Sequence, residues 1–267
     1  MELQSRVDQL RQAGLGVAAI SYDSVSVLAD FANRRGITFP LLSDRESRTI
    51  KAFGLLNTSI LEINPVYGIP FPGTLVLDSR GLVRARFFEE AYQERDTAAT
   101  ILLALGEDRS GSGTAVSADH IGVTLRSSDG VVAPGTVFSV VIDVTPKERV
   151  HVYAPGVTGY RPVNVVIESQ PSLIVRAIRF PEPEDHYFKP LGEHVKVFQK
   201  PFRIVQELMV DASQASQAAL QGREDLMVRG RLDYQACDDK VCFTPASVPV
   251  TWSLKLKALD RERSQKR

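Results

Sequence analysis

The sequence predicts two domains of different class, an α/β domain followed by an all-β sandwich. Three observations predict it. Residues 1–106 alternate short apolar strands with amphipathic helical stripes. A glycine- and serine-rich run, Gly106-Glu-Asp-Arg-Ser-Gly-Ser-Gly-Thr-Ala-Val-Ser117, then breaks that pattern and reads as a flexible linker. Beyond it the period changes to two, with short strands separated by Pro, Gly, Asp and Ser clusters. The expected layout is 1–106 for the α/β domain, 107–118 for the linker, 119–260 for the sandwich and 261–267 for a charged tail, and a length of 267 residues suits two domains.

In the first domain Leu3, Val7, Leu10 and Leu15 form a helical stripe. Val17-Ala-Ala-Ile20 reads as a buried strand, and a helix over 24–35 is closed by Gly36. Phe39-Pro-Leu-Leu42 is extended, and Ser43 or Asp44 is placed to cap a helix running to Phe53 before Gly54. Thr74–Asp78, a Ser79-Arg-Gly81 turn and Leu82–Phe88 make a hairpin, and a last helix covers 94–105. Strand–helix alternation ending in a hairpin and a helix is a thioredoxin-like order.

The second domain has predicted strands at His120–Arg126, Thr136–Val144, Arg149–Tyr153, Val163–Glu168, Leu173–Phe180, His194–Phe198, Phe202–Val210, Asp225–Tyr234 and Val248–Leu256. Many short strands at regular spacing argue for a β-sandwich. The one helix candidate, 212–221, reads as a loop or a single turn.

Composition bounds the function more loosely. Apolar content of 43% suffices for ordinary cores, and 32 basic residues balance 32 acidic ones, so no polyanion partner is implied. No apolar run reaches the roughly 20 residues that span a bilayer, and no signal peptide is visible after Met1.

The chemistry concentrates in Tyr234-Gln-Ala-Cys237-Asp-Asp-Lys-Val-Cys242-Phe-Thr-Pro245, which holds both cysteines of the chain, five positions apart. A disulfide closing so short a loop stabilises a fold by roughly 2 kcal/mol on the chain-entropy model, which a domain with a full core does not need. A reversible dithiol fits better than a structural bridge. A zinc site lacks a second cysteine pair or a nearby histidine. No cofactor or metal is expected. Asp238 and Asp239 disfavour a thiolate on Cys237, while Cys242 lies between Val241 and Phe243, so Cys242 is expected to take the partner and Cys237 to resolve. Lys240 offsets part of that acidic field, and the alternative for Asp238, Asp239 and Lys240 is a solvated turn.

Two resemblances sharpen this reading. Ala18-Ala-Ile-Ser-Tyr-Asp23, Phe39-Pro-Leu-Leu-Ser-Asp44, Ala52-Phe-Gly54 and Phe71-Pro-Gly-Thr-Leu-Val-Leu-Asp78 resemble the AhpC/TSA (redoxin) family of thioredoxin-fold peroxidases. That resemblance implies a cis proline at Pro72. The family's reactive cysteine would follow a first buried strand, yet residues 1–236 hold no cysteine. The resemblance therefore implies a domain incomplete at its N-terminus, whose strands at 17–22 and 74–78 lack their shared partner.

Val150-His-Val-Tyr153, the Pro181–Phe198 stretch and Tyr234-Gln-Ala-Cys237…Cys242-Phe-Thr-Pro245 resemble the N-terminal periplasmic domain of the thiol-disulfide interchange protein DsbD, an immunoglobulin-like sandwich. That family has five residues between its cysteines where this chain has four, and Thr244 stands where a first proline is usual. The resemblance implies a cap loop at Asp185-His-Tyr-Phe-Lys189, with Tyr187 or Phe188 as the lid, and Tyr153 near the sulfurs. Asp238 and Asp239 complete the set expected to shield or tune the site. His186 is read as a solvent-facing loop residue, and His120, His151 and His194 as structural residues without a visible partner.

The function implied is thiol-disulfide exchange through Cys237 and Cys242, between a thioredoxin-like donor and an oxidised protein. It would be periplasmic by resemblance, or cytoplasmic if Met1 is the native start. The rivals are a peroxidase whose catalytic cysteine lies upstream of this chain, and a redox-inert interaction module in which the bridge is static.

Overall fold

A computed structural model of the chain describes residues 2–64, 67–88, 95–104, 113–188 and 192–257. The chain divides into two compact units, Met1–Asp108 and Arg109–Arg267. Residues 107–112 of the expected linker and the 261–267 tail lie outside the described residues.

The first unit runs α1 (Glu2–Ser5), α2 (Val7–Gln12), β1 (Ala19–Ser21), α3 (Val25–Arg35), β2 (Leu41–Ser43), α4 (Arg48–Ala52), β3 (Gly73–Leu77), β4 (Val83–Phe88), β5 (Arg95–Asp96) and α5 (Ala98–Ala104). Local signals set its helices. The Ser24 hydroxyl accepts from the Val27 N–H at 3.4 Å, and Gly36 closes α3 in the left-handed conformation at φ 60°. The Asp44 carboxylate accepts from the Arg48 and Ile50 N–H groups at 3.0 and 2.8 Å, so the helix predicted from residue 44 starts at Arg48, above its cap. The Leu10 side chain packs with Ala98 and Leu102, flanked by Leu3, Ala13, Leu15 and Val17.

Among the described residues β1, β2, β3 and β4 form two separate two-stranded pairs. β1 runs parallel to β2, with Ala19 opposite Leu41 and Ser21 opposite Ser43. β3 runs antiparallel to β4 around a turn in which the Asp78 carboxylate accepts from the Arg80 and Leu82 N–H groups. The strand at Ala19–Ser21 was expected to be buried, yet Ile20 is 40% exposed, as a strand paired on one edge allows.

The peptide bond before Pro72 is trans, which corrects the cis bond expected there. Trans is the lower-energy isomer of an X–Pro bond by about 0.5–1 kcal/mol, and a cis bond persists only where the fold imposes it. Here Pro72 leads into a hairpin that, among the described residues, pairs only with itself.

The second unit is a β-sandwich. Its strands are β6 (Thr114–Val116), β7 (Ile121–Ser127), β8 (Val131–Val132), β9 (Thr136–Pro146), β10 (His151–Tyr153), β11 (Asn164–Ile167), β12 (Leu173–Arg179), β13 (Glu184–Phe188), β14 (Glu193–Phe198), β15 (Phe202–Val210), β16 (Asp225–Tyr234), β17 (Ala236–Cys237) and β18 (Ala246–Leu256). One sheet runs β12-β15-β9-β7-β6 and a second β11-β16-β18-β8. Alternate residues of both fill one core: Phe138, Ile142, Ile204 and Leu208 from the first, with Val228, Leu232, Val250 and Leu254 from the second. A smaller sheet, β13-β14-β10-β17, carries the cysteine pair.

Three segments differ from the sequence reading. Thr114–Val116, expected in the linker, pairs with β7. Asp185–Phe188, expected as a cap loop, forms β13 and pairs with β14 from Glu184 opposite Val197 to Phe188 opposite Glu193, while Lys189 lies outside the described residues. Backbone pairing with β14 satisfies groups that a loop would leave to water. Residues Gln214–Leu220 form a helix, α6, because the Ser213 hydroxyl caps the Ser216 N–H at 3.2 Å.

Candidate functional site

The site is built on β10, which contributes three consecutive buried residues between β14 and β17. Val152 lies opposite Phe198 and Tyr153 opposite Val197 on one edge; His151 lies opposite Cys237 and Val152 opposite Ala236 on the other. Residues directly opposite in an antiparallel pair share a face, and so do residues two apart in one strand. His151, Tyr153, Cys237 and Val197 therefore project to the same side of this sheet.

Cys237 and Cys242 are bonded to each other as a disulfide. Cys237 is fully buried, whereas Cys242 is half-buried. Between them Asp238 folds a tight turn. Its carboxylate accepts from the Lys240 and Val241 N–H groups, both at 2.7 Å, and its own N–H donates to the Val241 carbonyl at 2.9 Å. Those backbone hydrogen bonds, Lys240 foremost, hold the Asp238 carboxyl below its ordinary pKa. Asp238 thus shapes the turn as well as charging it. After Cys242 the Phe243 N–H returns to the Ala236 carbonyl at 2.9 Å, and the Phe243 ring stacks on His120 at 3.7 Å.

Tyr153 is the ring against the sulfurs. Its hydroxyl donates to Cys237 Sγ at 3.2 Å and lies 3.4 Å from Cys242 Sγ. Behind it Tyr160 stacks at 4.0 Å and bonds Glu193. Burial, with Tyr160 and Glu193 adding to it, raises the Tyr153 pKa above its ordinary value, so the phenol stays protonated and remains a donor. Val195, Val197, Val157 and Tyr160 complete the apolar surround.

The two aromatic residues expected as the lid sit elsewhere. Tyr187 is half-exposed and Phe188 buried, both on β13, which β14 and β10 separate from the strand of Cys237. The apolar cluster around Cys237 contains neither. Asp239 is exposed in the turn.

Sequence reasoning read His151 as a structural residue without a visible partner. It is 2% exposed, its ring meets Tyr153 edge-on at 5.4 Å and His186 at 4.7 Å, and its Nε2 has no hydrogen-bond partner among the described residues. Burial first, then the nearby His186, push its pKa down to about 4, with Asp239 and Asp238 opposing. The signal was present: in a strand of period two, His151 shares a face with Tyr153. The other histidines also have partners, since His186 Nδ1 meets Gln199 at 3.2 Å and His194 Nδ1 meets Asp185 at 3.0 Å.

Comparison with known proteins bears first on the other unit. Residues 1–86 match the model of the AhpC/TSA family. Two Mycobacterium tuberculosis proteins, from strains CDC 1551 / Oshkosh and ATCC 25618 / H37Rv and each provisionally named a peroxiredoxin, are 32% identical over 82 residues, 31% of this chain. The chain spans about half the length of these relatives, 52%.

Among solved structures, the N-terminal periplasmic domain of ScsB from Proteus mirabilis aligns at TM-score 0.37 and 14% identity, over 53% of this chain and 51% of its own. The reduced N-terminal domain of DsbD from Neisseria meningitidis aligns at 0.31 and 12%, over 44% and 78%. Among the described residues no helix is long and apolar enough to cross a membrane.

Proposed function

We propose that the second unit is a thiol-disulfide exchange module working through Cys237 and Cys242, with a thioredoxin-like protein as donor and an oxidised protein as acceptor. One observation carries this reading: the two sulfurs of a single short loop differ in exposure, and the buried one receives a hydroxyl donor from Tyr153. A static staple needs neither feature. In exchange, a donor thiolate attacks Cys242 Sγ, the sulfur that solvent reaches. The Cys237–Cys242 bond breaks, and its electron pair leaves on Cys237 as a thiolate. The Tyr153 hydroxyl is aimed at that sulfur and stabilises the charge against the acidic turn. A second donor thiol then releases the mixed disulfide and leaves the pair reduced, ready to pass two electrons to an acceptor by the same chemistry in reverse.

The first unit is read as a thioredoxin-like platform without thiol chemistry of its own, because residues 1–106 contain no cysteine. A peroxide-reducing thiolate has no source there. A periplasmic setting, where a lone exchangeable pair is at home, goes with this reading.

The test is a trapping experiment with the full chain. Cys237→Ser leaves Cys242 free and is expected to hold a thioredoxin-like partner as a stable mixed disulfide, whereas Cys242→Ser is not. Trapping by Cys242→Ser alone would reverse the roles of the sulfurs. A wild-type reduction potential below about −300 mV would mark the bond as structural.

A further inference from the structure

His151 is a buried polar group that the exchange steps above leave unused. Buried side-chain nitrogens in native proteins almost always have a partner, and an exception calls for a physical reason. Among the described residues His151 Nε2 is such an exception, in a residue 2% exposed. Its register partner is Cys237, so the two side chains leave the same face of neighbouring strands, with Cβ atoms about 5 Å apart in this geometry. In the oxidised protein the sulfur opposite carries no proton and already accepts from Tyr153. Reduction changes that: it creates a thiol opposite the imidazole and frees the sulfur from Cys242.

The groups facing His151 decide what it can do with that proton. From β14, Val195 and Val197 pack in the apolar cluster around Cys237 and Tyr153, and from its own strand His151 meets the neutral Tyr153. From β13 comes His186, and from the turn after β17 come Asp238 and Asp239, with Lys240 beside Asp238. In the oxidised protein burial holds the His151 pKa near 4, which leaves the imidazole neutral with a free acceptor nitrogen; a thiolate on Cys237 adds a facing negative charge that raises its affinity for a proton. The two aspartates favour the cation once a proton arrives.

We propose that His151 is the proton acceptor for the Cys237 thiol and so generates the resolving thiolate. The proposal rests on the reading that this pair exchanges. In the mixed disulfide with an acceptor protein, Cys242 Sγ is bonded to the partner's sulfur and Cys237 is a thiol. The proton passes from Cys237 Sγ to the imidazole. The Cys237 thiolate attacks Cys242 Sγ, the bond from Cys242 to the partner breaks, and its electron pair leaves on the partner's sulfur. The imidazolium returns its proton to that departing thiolate. The pair ends oxidised, the partner ends reduced by two electrons, and His151 ends neutral.

The test isolates Cys237 in a full chain carrying Cys242→Ser and follows thiolate formation by ultraviolet absorbance as pH rises. Adding His151→Phe, which fills the same space without a nitrogen, is expected to raise the midpoint by about one unit and to lower the thiolate fraction near neutral pH about tenfold. His151→Gln keeps a polar group but cannot take a proton at this pH, and it is expected to behave like His151→Phe. An unchanged midpoint in a folded variant of either kind, checked by circular dichroism, would reduce His151 to a space-filling residue. Because no partner protein enters this titration, it separates from the exchange reading: failed trapping with a shifted midpoint overturns the exchange, and trapping with an unshifted midpoint overturns the role of His151.

Discussion

In the sandwich, β15 pairs with β9 on one edge and β12 on the other, and its Ile204 and Leu208 are fully buried in a core shared with the facing sheet. In the thioredoxin-like unit, β1 pairs among the described residues with β2 alone, and Ile20 and Leu42 are 40% and 51% exposed. Both units contain capped helices and regular strands. What differs is whether the strands join into a larger sheet with one face buried in a core. Secondary structure is set by local sequence in each, but stability follows from burial and from ladder pairing on both edges, which only the sandwich has among the described residues.

Amide hydrogen exchange on the intact chain gives the largest expected contrast. Opening free energies range from near zero up to the global stability, typically 5–15 kcal/mol. Phe202–Val210 and Asp225–Tyr234 are expected at the slow extreme and Ala19–Ser21 and Gly73–Leu77 at the fast one, a gap of roughly 5 kcal/mol. Equal, strong protection in both units would break the comparison.

Truncation sharpens it by residue. Phe138 is fully buried in the sandwich core, and Phe138→Ala is expected to cost about 3–5 kcal/mol in denaturant unfolding. Leu42→Ala in β2, at a half-exposed position, is expected to cost less than about 1 kcal/mol. Similar costs at the two positions would mean that Leu42 is buried in solution.

What was legible from sequence follows the same division. The α3 boundaries, Ser24 to Gly36, were readable because a cap and a left-handed glycine are local signals. The strands of the main core were readable because Ile204, Leu208, Val228 and Leu232 recur at period two. Glu184–Phe188 was not: it is polar, flanked by Pro181, Pro183 and Pro190, and becomes a strand only by pairing with β14. His151 was missed for a related reason. Its burial comes from strands far along the chain, and a histidine between Val150 and Val152 carries no local mark of the cysteine it will face. Pro72 shows the converse, where resemblance predicted a backbone state that this fold does not impose.

Acid gives a third contrast, smaller in energy. Residues 1–106 contain no histidine. In the sandwich, the folded-state pKa of His151 lies near 4, below the ordinary 6.5, so the unfolded chain takes up this proton first as pH falls. The stability owed to a neutral His151 is complete above pH 6.5 and declines as pH falls toward 4. Between pH 6.5 and about 5 the sandwich is expected to lose on the order of 2 kcal/mol, while the first unit stays level. His151→Phe should flatten the sandwich's curve over this window. An unchanged slope in that variant would assign the proton to another histidine.

The smallest effect tests the half of the comparison in which the units are alike. Ser24 caps α3 in the first unit and Ser213 caps α6 in the second, each through its hydroxyl and the N–H three residues on, at 3.4 and 3.2 Å. Each hydroxyl satisfies one of the helix's unpaired donors, a local contribution that does not depend on how well the surrounding sheet is covered. Ser24→Ala and Ser213→Ala are therefore each expected to cost about 1 kcal/mol, read as the shift in the unfolding of the unit that carries the change. Equal costs would locate the difference between the units in packing beyond the helices. A much larger cost for Ser24→Ala would instead show that α3 and its cap bear a disproportionate share of the first unit's stability, where few covered strands are present to carry it.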